Sequence, residues 1–369
     1  MAGKKRNTFT LIDLFSGCGG MSSGFNRADF QTLSAVEIDA EISNTFKKNH
    51  PTAKIFNQDI KEIISTDLLV GQKSVDVIVG GPPCQGFSMA GKRIRNKGEF
   101  LDDQRNQLFK EFYRVVRELR PKIFIMENVP GILSMNDGAI KDTICDLFQV
   151  EGYSTSIKVL LAADYGVPQL RKRAFFIGTS LGIDPETLFP DTTHGNKNVP
   201  YVSIEEAIFD LPFINQGEGI YEAIYDKPPT SAYQKVMRRN STRLFNHVAP
   251  KHTESVVEIL KLIKEGQRMA DLPKKFHTKS VHSGAYGRLK RDLPSYTITT
   301  RFDTPPVGRV THPVLNRALT PREAARIQSF DDNFIFLGTK TSIGKQIGNA
   351  VPPLLAFAVA KKIHSALKK

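Results

Sequence analysis

The first 180 residues of the chain alternate strand-like runs with helical patterns, and this alternation limits the fold more than any other feature. Strand-like runs occupy residues 9–15, 31–39, 55–60, 74–79, 122–129, 154–161 and 174–178. The clearest helical period covers residues 104–120, with Phe112, Val115, Val116 and Leu119 on one face. Alternation of this kind is typical of a mostly parallel sheet with helices on both faces. The sequence therefore predicts an α/β domain with a mostly parallel, seven-stranded sheet.

The alternation fades after about residue 179, and the stretch that follows is irregular and rich in proline. Its helical patterns are short, at residues 203–210 and 254–265. Another helix is predicted to begin at Thr320, which offers a capping box with Glu323. Beyond it, the sequence QIGNAVPP precedes an apolar helix in the manner of the first domain. We therefore predict a first domain at 1–185, a second, irregular domain at 186–331 and a return to the first at 332–369.

The composition is that of a soluble globular protein, with 40% hydrophobic and 24% charged residues. No apolar run approaches the ~20 residues that a membrane span needs, and the basic start of the chain leads into a strand instead of a signal-peptide core. We therefore expect a cytoplasmic protein that makes no membrane contact. Three cysteines, Cys18, Cys84 and Cys145, lie far apart without a CxxC pair. This spacing argues against a disulfide framework and against a metal site.

Positive charge is abundant and unevenly distributed along the chain. The formal net charge is +13, and residues 227–301 hold 16 Lys and Arg against 5 Asp and Glu. A concentrated positive field favours polyanions, and nucleic acid is the first candidate. A basic surface that only keeps the protein soluble is the alternative.

A single thiol follows a buried strand in the sequence GGPPCQGFS, residues 80–88. The two glycines and two prolines end the strand abruptly and stiffen the backbone around Cys84. Because ligands bind at the carboxyl ends of strands in an open α/β sheet, Cys84 is a candidate nucleophile. A small buried residue that fills the strand end is the alternative.

Glycines and carboxylates follow the first three strands. The sequence FSGCGG, residues 15–20, occupies the place of a dinucleotide fingerprint, although Ser22 stands where the third glycine would be. Glu37 ends the second strand, where a carboxylate can hold a ribose diol, and Asp59 ends the third, where it could accept from an adenine amino group. This set suits an adenosine-bearing ligand, and the missing glycine favours S-adenosylmethionine over NAD. Helix capping is the alternative for both carboxylates.

The fifth strand ends in the sequence ENVPG, which places the Glu127 carboxyl beside the strand that leads to Cys84. In a partly desolvated cleft this carboxyl could hold or donate a proton at neutral pH. The sequence QLRKR alternates as a strand would, so Gln169, Arg171 and Arg173 are predicted to share one face. Guanidinium groups on this face could steady a thiolate or bind a carbonyl oxygen. A solvated, basic strand end is the alternative.

Taken in order, FSGCGG, VEID, NQDI, GGPPCQGFS, ENVPG, QLRKR, LTPREAARIQ and QIGNAVPP resemble the ordered motifs of the C5-cytosine DNA methyltransferases. The resemblance covers residues 9–178 and 288–360, and the combination of motifs is highly specific. It implies the Rossmann-like fold of S-adenosylmethionine-dependent methyltransferases, with a smaller, irregular target-recognition domain. Residues 186–331 would then hold target recognition and a hinge, and residues 1–185 and 332–369 would form the catalytic, cofactor-binding domain.

The resemblance also implies a mechanism. Cys84 would attack C6 of a cytosine as a thiolate, and C5 would then take a methyl group from S-adenosyl-L-methionine, leaving S-adenosyl-L-homocysteine. Glu127 would contact N3 and the exocyclic amine, Arg173 would contact the base carbonyl, and Arg171 would be its structural and catalytic partner. Because C6 is buried in duplex DNA, the base would be flipped into the pocket. Residues 89–105 would form the loop that closes over it.

Further site residues are implied by their positions in the motifs. The implied cofactor-binding residues are Phe15, Gly17, Gly19, Gly20, Glu37, Ile38, Asp59, Ile60, Leu108, Asn349 and Ala350. Many family members have alanine in place of Ser16 and some have serine in place of Ala350, so Ala350 would offer backbone contacts only. The predicted DNA-binding residues are Gln85, Ser88, Lys92, Arg93, Arg95, Arg238, Arg239 and Arg243.

The observations together favour a sequence-specific DNA cytosine-5 methyltransferase of the bacterial restriction-modification type. We expect it to act as a monomer on double-stranded DNA, at the nucleoid, without direct contact with any companion endonuclease. An RNA cytosine methyltransferase is an alternative, but no cysteine follows Cys145 to supply the Cys-Phe-Thr that the tRNA-modifying branch typically carries. A regulatory DNA-binding relative without catalysis is disfavoured by the intact Cys84, Glu127, Arg171 and Arg173. An NAD-dependent oxidoreductase is disfavoured by the incomplete glycine fingerprint.

Overall fold

The computed structural model describes residues 8–83, 106–277 and 282–369. Its strands are β1 Phe9–Leu14, β2 Phe30–Val36, β3 Lys54–Phe56, β4 Val77–Gly80, β5 Ile123–Asn128, β6 Ser154–Leu161, β7 Lys172–Thr179, β8 Gly219–Ala223 and β9 Leu244–Val248. Its α-helices are α1 Gly20–Arg27, α2 Ala40–Asn49, α3 Gln107–Leu119, α4 Ala139–Val150, α5 Ile204–Ile208, α6 Ala232–Arg238, α7 Glu254–Leu262, α8 Pro321–Ile327, α9 Lys340–Asn349 and α10 Pro353–Leu367. None of the helices in this described part is long and apolar enough to cross a membrane.

Strands β1 to β7 form one sheet in the order β3-β2-β1-β4-β5-β7-β6. The pairs of β1 with β2 and β4, of β2 with β3, and of β4 with β5 are parallel. Strand β7 runs antiparallel to both β5 and β6. The predicted α/β class and the mostly parallel, seven-stranded sheet are therefore confirmed. Because β7 is antiparallel, its amino end lies beside the carboxyl end of β5.

The apolar runs of the sequence form the central strands of this sheet. All four residues of β4 and all six residues of β5 are buried, which explains why neither run alternates with polar residues. Helix α3 packs its predicted apolar face, including Phe112, Val115 and Val116, into the same core. The helix begins at Gln107, and residues 104 and 105 of the predicted span lie outside the described residues.

Most helices predicted in the irregular stretch and beyond are also present. Helices α5 and α7 lie at the two predicted positions, although each is shorter than its sequence pattern. Helix α8 begins at Pro321, where the Thr320 side chain accepts from the Glu323 backbone and Glu323 returns a bond to the Thr320 backbone. The apolar helix near the end of the chain is α10. Local capping and periodicity therefore located these helices correctly.

The chain divides into two compact units. The first unit comprises the described residues of Met1–Leu161, Lys172–Asp191 and Ala356–Lys369. The second unit comprises the described residues of Ala162–Arg171 and Thr192–Leu355. The first boundary lies close to the predicted residue 185, whereas the return to the first unit comes at Ala356 and not at residue 332. Residues 162–171 also leave the first unit, which the sequence did not predict.

Long-range hydrogen bonds explain both differences. Gln328 Nε2 donates to the Ile347 carbonyl at 2.6 Å, so the chain beyond residue 332 stays in the second unit. Gln169 Nε2 donates to Gln328 Oε1 at 2.8 Å, which ties residues 162–171 to the same unit. These bonds join residues far apart in sequence, and a local pattern does not record them.

Buried arginines help to fill the interior of the second unit. Arg171, Arg317, Arg322 and Arg326 are among the largest fully buried side chains of the protein. Arg322 donates to the carbonyl oxygens of Phe245, Asp331 and Phe334. An irregular chain leaves many carbonyl groups without a strand or helix partner, and the five donors of one guanidinium satisfy several of them at once.

Candidate active site

The turn between β1 and α1 adopts left-handed backbone conformations at three of its residues. The φ angles are 57° at Phe15, 54° at Gly17 and 95° at Gly19. Among the described residues, a Cβ added at Gly17 would meet nothing within 4 Å, whereas one at Gly19 would lie 2.4 Å from Nε2 of His50. Gly17 therefore borders open space and Gly19 is packed against a side chain. Gly20 is buried and begins α1.

The Glu37 carboxylate, just beyond the carboxyl end of β2, is held by two backbone N–H groups. Its Oε2 accepts from the Gly17 N–H at 3.0 Å, and its Oε1 accepts from the Asp39 N–H at 2.9 Å. Burial raises the pKa of Glu37 above its ordinary value, and these two hydrogen bonds oppose the shift. Asp39, not Glu37, caps helix α2. The next residue, Ile38, is 68% exposed and places an apolar surface beside the carboxylate.

Asp59 performs the capping role that the sequence left open as an alternative. Its side chain accepts from the Lys61 N–H at 3.1 Å and begins a short 3-10 helix. Ile60 is buried, and Leu108 lies partly buried against the core of the first unit. Contacts of Asp59, Ile60 and Leu108 with a cofactor stay predictions.

Beneath the glycine turn lies the buried carboxyl group of Asp13, which the sequence analysis did not single out. It accepts from Ser22 Oγ at 2.6 Å and from the Ser22 N–H at 3.2 Å. Burial raises the pKa of Asp13 to about 7, against the hydrogen bonds from Ser22. Ser22 stands at the third position of the glycine fingerprint, and its bond to Asp13 ties α1 to β1. The one charged residue inside the otherwise apolar run FTLIDLF could have indicated a buried polar group at this position.

Glu127 and Arg173 form an ion pair where the carboxyl end of β5 meets the amino end of β7. Arg173 Nε lies 2.8 Å from Glu127 Oε1, and the side chains are 14% and 11% exposed. Burial lowers the pKa of the Arg173 guanidinium, and the Glu127 carboxylate opposes that shift. The first unit therefore holds a carboxylate and a guanidinium together in a nearly buried ion pair, which the sequence did not predict.

The same end of β5 holds the segment that leads to Cys84. A Cβ added at Gly81 would lie 3.1 Å from Glu127 Oε2, so the carboxylate lies directly over this glycine. The buried Asn128 side chain donates from Nδ2 to the Pro82 carbonyl at 3.0 Å. Cys84 follows two residues later and lies outside the described residues. The structure thus locates Gly81 and Pro82 at the Glu127 end of the sheet, and the place of Cys84 stays a prediction.

The prediction that Gln169, Arg171 and Arg173 share one face of a strand was wrong. Strand β7 begins only at Lys172, and the division between the two units falls between Arg171 and Lys172. Arg171 is fully buried in the second unit and donates to the carbonyl groups of Ile298, at 3.1 Å, and Gly348, at 2.8 Å. The alternating sequence indicated a strand, but long-range hydrogen bonds to the side chains of Gln169 and Arg171 hold the chain outside it.

Arg171 holds the end of helix α9, which carries the last predicted cofactor residues. Asn349 is the final residue of α9 and is exposed, and Ala350 follows as its C-cap. A Cβ at Gly348 would lie 2.4 Å from the backbone nitrogen of Thr300, so this turn of α9 needs glycine to pack there. Both predicted residues lie in the second unit, and their contact with a cofactor stays a prediction.

The structure gives the predicted DNA-binding arginines of the second unit different surroundings. Arg238 is nearly buried, pairs with Asp210 at 2.6 Å and lies 3.7 Å from the ring centroid of Tyr225, so it is an internal structural residue. Arg239 and Arg243 are exposed but lie 3.4 Å from carboxylate oxygens of Asp331 and Glu222, respectively. The other predicted DNA-binding residues, Gln85, Ser88, Lys92, Arg93 and Arg95, lie outside the described residues.

Polar groups thus gather at one edge of a seven-stranded, mostly parallel sheet, where Rossmann-like enzymes bind their ligands. The C-5 cytosine-specific DNA methylase family matches the chain over residues 9–365, and the chain belongs to this family. The predicted resemblance is therefore confirmed, and with it the enzyme class, DNA (cytosine-5-)-methyltransferase.

Several relatives narrow the class to Type II restriction-modification methyltransferases. The chain is 40% identical over 358 residues to the Type II methyltransferase M1.HphI of Haemophilus parahaemolyticus, with 96% of this chain and 87% of that protein covered. It is 39% identical over 376 residues to M.DdeI of Desulfomicrobium norvegicum, with 96% and 88% covered. A solved DNA modification methyltransferase encoded within an E. coli prophage matches with a TM-score of 0.77 at 29% identity, over 98% of this chain and all of that one.

Proposed function

We propose that this protein transfers a methyl group from S-adenosyl-L-methionine to C5 of one cytosine within a specific sequence of double-stranded DNA. The observation that carries the proposal is the Glu127–Arg173 ion pair, which lies over the backbone segment that leads to Cys84. A nucleophile, a carboxyl group and a guanidinium at one strand end are the groups that covalent activation of a pyrimidine needs.

The residues of the first unit fit an adenosine-bearing cofactor. The open space beside Gly17 lets a ligand approach the backbone closely. The Glu37 carboxylate is already oriented by two N–H groups and can accept from a ribose diol. The exposed Ile38 side chain offers an apolar surface for the base. When bound, S-adenosylmethionine supplies an electrophilic methyl group, and S-adenosylhomocysteine is the product.

The residues around Cys84 prepare the cytosine for this transfer. The Cys84 thiolate forms a bond to C6, and the electron pair of the C5–C6 double bond moves to C5, which takes the methyl group. The Glu127 carboxyl group donates its O–H to N3 and accepts from the exocyclic amine, and Arg173 donates to the base carbonyl, so both favour charge build-up in the ring. Transfer of the C5 proton to a water molecule and cleavage of the sulfur–C6 bond, whose electron pair leaves with sulfur, restore the aromatic ring and the Cys84 thiolate.

Duplex DNA reaches these groups only if the cytosine leaves the base stack, because C6 is covered by its neighbours in a duplex. The basic segment at residues 227–301 supports binding of the phosphate backbone. We assign reading of the target sequence to the second unit, which holds residues 192–287 of the chain, the part without family motifs.

Methyl transfer to DNA tests the proposal directly. The purified protein is incubated with labelled S-adenosylmethionine and mixed-sequence duplex DNA, with bulk tRNA as a parallel acceptor. We expect label in the DNA only, and bisulfite sequencing of the product then identifies the modified cytosine. An enzyme that binds the cofactor and labels no DNA would contradict the proposed function.

A pair of cysteine variants tests the nucleophile. Cys84→Ser should abolish transfer and leave DNA binding intact, because a hydroxyl is a far weaker nucleophile than a thiolate. The matched control is Cys145→Ser, a substitution in helix α4, which should retain the wild-type rate. A covalent adduct with duplex DNA that carries 5-fluorocytosine at the mapped site should form with wild type and Cys145→Ser only. Turnover by Cys84→Ser would exclude the assigned nucleophile.

A further inference from the structure

The guanidinium group of Arg309, in the second unit, is held in one orientation by Tyr296. It lies 4.2 Å from the centroid of the tyrosine ring, and its Nη1 donates to the tyrosine hydroxyl at 2.6 Å. Arg309 is half-buried, and Tyr296 is 49% exposed. A guanidinium that stacks on a ring and bonds to its hydroxyl has lost most of its rotational freedom before any ligand arrives.

The aliphatic part of Arg309 is fixed by two glycines. A Cβ added at Gly287 would lie 2.4 Å from Cγ of Arg309, and one at Gly284 would lie 3.2 Å from the same atom. The Arg309 side chain therefore packs directly against the backbone at Gly284 and Gly287, where a side chain would collide with it. Backbone hydrogen bonds fix this surface, since the Gly287 N–H donates to Gly284 O at 3.0 Å and the Thr311 N–H donates to Gly287 O at 3.0 Å.

The charge of Arg309 has no counter-ion among the described residues. No carboxylate of that part of the chain lies within ion-pair distance of its guanidinium. Arg238, Arg239 and Arg243, in contrast, each pair with a carboxylate of the second unit. A partly buried, oriented and uncompensated guanidinium has the properties of an anion-binding group, because much of its entropy of ordering is already lost and the contact with Tyr296 uses only one of its five N–H donors.

We propose that Arg309, positioned by Tyr296, binds a backbone phosphate of the DNA duplex. The proposal rests on the proposed function, because duplex DNA supplies the anion. A planar guanidinium donates two parallel hydrogen bonds to a phosphate, and such contacts fix the register of a protein on DNA without reading its sequence. The basic excess that precedes Arg309 in the sequence supplies the long-range attraction, and Arg309 supplies the oriented contact.

The test measures the affinity of the enzyme for a mixed-sequence, fluorescein-labelled DNA duplex at several salt concentrations. The main variant is Arg309→Gln, which keeps the aliphatic stem on the glycines and removes the charge. We expect the Kd of this variant to rise by about tenfold and the slope of log Kd against log salt to fall by about 1. Arg309→Lys should keep the slope and regain only part of the affinity, because it retains the charge without the planar donors.

Two controls separate this contact from a loss of total charge and from unfolding. Lys141→Ala removes one positive charge from α4 in the first unit, where Lys141 pairs with Asp142 at 3.2 Å, and should leave the affinity and the slope unchanged. The Tm and the affinity for S-adenosylhomocysteine should be the same in all four proteins. Bisulfite sequencing of DNA modified by Arg309→Gln should show the wild-type set of sites.

Three results would overturn the proposal. An Arg309→Gln protein with the affinity and slope of Lys141→Ala would exclude a phosphate contact. A changed set of methylated sites would make Arg309 a reader of bases instead. A fall in the Tm of Arg309→Gln large enough to account for the weaker binding would show that Arg309 is a structural residue. The proposed function is tested separately by the methyl-transfer assay. Failure of the wild-type enzyme to methylate any DNA in that assay would contradict the proposed function.

Discussion

The Glu127–Arg173 pair joins two side chains that would act on the same base from adjacent strand ends. At 2.8 Å and with little solvent exposure, each group fixes the other in place. The pair therefore presents a preorganised donor and acceptor set that needs little rearrangement when a base arrives.

Replacing Glu127 tests whether this pair serves catalysis. Glu127→Gln keeps the volume of the side chain but removes its charge, so Arg173 loses its ion-pair partner and the base loses a contact that strengthens as charge develops. We expect kcat to fall by about a hundredfold or more, with an unchanged Kd for S-adenosylmethionine. Steady-state methyl transfer and calorimetry with the cofactor measure the two quantities.

A matched substitution controls for the loss of an ion pair. Glu111 pairs with Arg114 at 2.6 Å within helix α3 and is also poorly exposed. Glu111→Gln should therefore leave kcat near the wild-type value. A Glu127→Gln enzyme as active as this control would remove Glu127 from the mechanism.

At the scale of the element, the β1–α1 turn uses its glycines in two different ways. Gly19 avoids a collision with His50, whereas Gly17 keeps a space open beside the Glu37 carboxylate. Burial lowers the pKa of His50 to about 4, so the ring stays neutral and packs under the turn as a neutral group. Gly19 therefore serves the packing of the turn, and Gly17 leaves the space in which we propose that the cofactor binds.

Alanine substitutions separate these two roles. Gly19→Ala must accommodate both a left-handed backbone, at about 1–2 kcal/mol, and an overpacked contact, at about 1–3 kcal/mol. We expect a clearly lower Tm. Gly17→Ala carries only the backbone strain, so its Tm should fall less, but its methyl group would occupy the cofactor space and raise the Kd for S-adenosylmethionine. Thermal unfolding and calorimetry on both variants check this, and a reversed order of the two effects would refute the assignment.

At the scale of the whole molecule, the two units have interiors of different kinds. The first unit buries apolar side chains between a sheet and its helices. The second unit adds buried ion pairs, such as Arg317 with Glu323, whose atoms approach to 2.8 Å. Burial would raise the pKa of Glu323, but the Arg317 guanidinium outweighs it and lowers that pKa to about 2. The stability of the second unit should therefore respond to pH through its buried polar groups.

His312 determines in which direction the stability of the second unit changes with pH. Its Nδ1 accepts from the N–H groups of Val314 and Leu315 at 3.1 Å each, and burial lowers its pKa from 6.5 to about 4, against the attraction of Glu323. As the pH falls below 6.5, the unfolded chain binds a proton at His312 and the folded protein does not until about pH 4. The folded state therefore loses stability over that window as the pH falls.

His312→Asn should remove this part of the pH dependence, because the asparagine Oδ1 can accept from the same two N–H groups and does not titrate. We expect the loss of unfolding free energy between about pH 7 and about pH 5 to be smaller in the variant by about 2 kcal/mol. Urea unfolding at both pH values, followed by circular dichroism, measures it. Parallel curves for the variant and the wild type would show that His312 does not set the slope.

The parts of this protein that the sequence predicted are those that neighbouring residues encode. Uninterrupted apolar runs identified β4 and β5, because a strand covered on both faces has no polar side. The cap at Thr320 located the start of α8 for a similar reason, since the first turn of a helix is satisfied by residues three positions apart. The ordered motifs then identified the family and the polar residues at the ends of the strands.

Only the tertiary structure decided which of those polar residues meet. Glu127 reaches Arg173 because β7 runs antiparallel beside β5, and Arg171, two residues earlier, is drawn into the second unit by the carbonyl groups of Ile298 and Gly348. Arg238 and Arg309 look alike in the sequence, yet one is internal and paired and the other is oriented and unpaired within the described residues. Such differences depend on chain segments that are far apart in sequence, so the identity of a residue alone does not determine them.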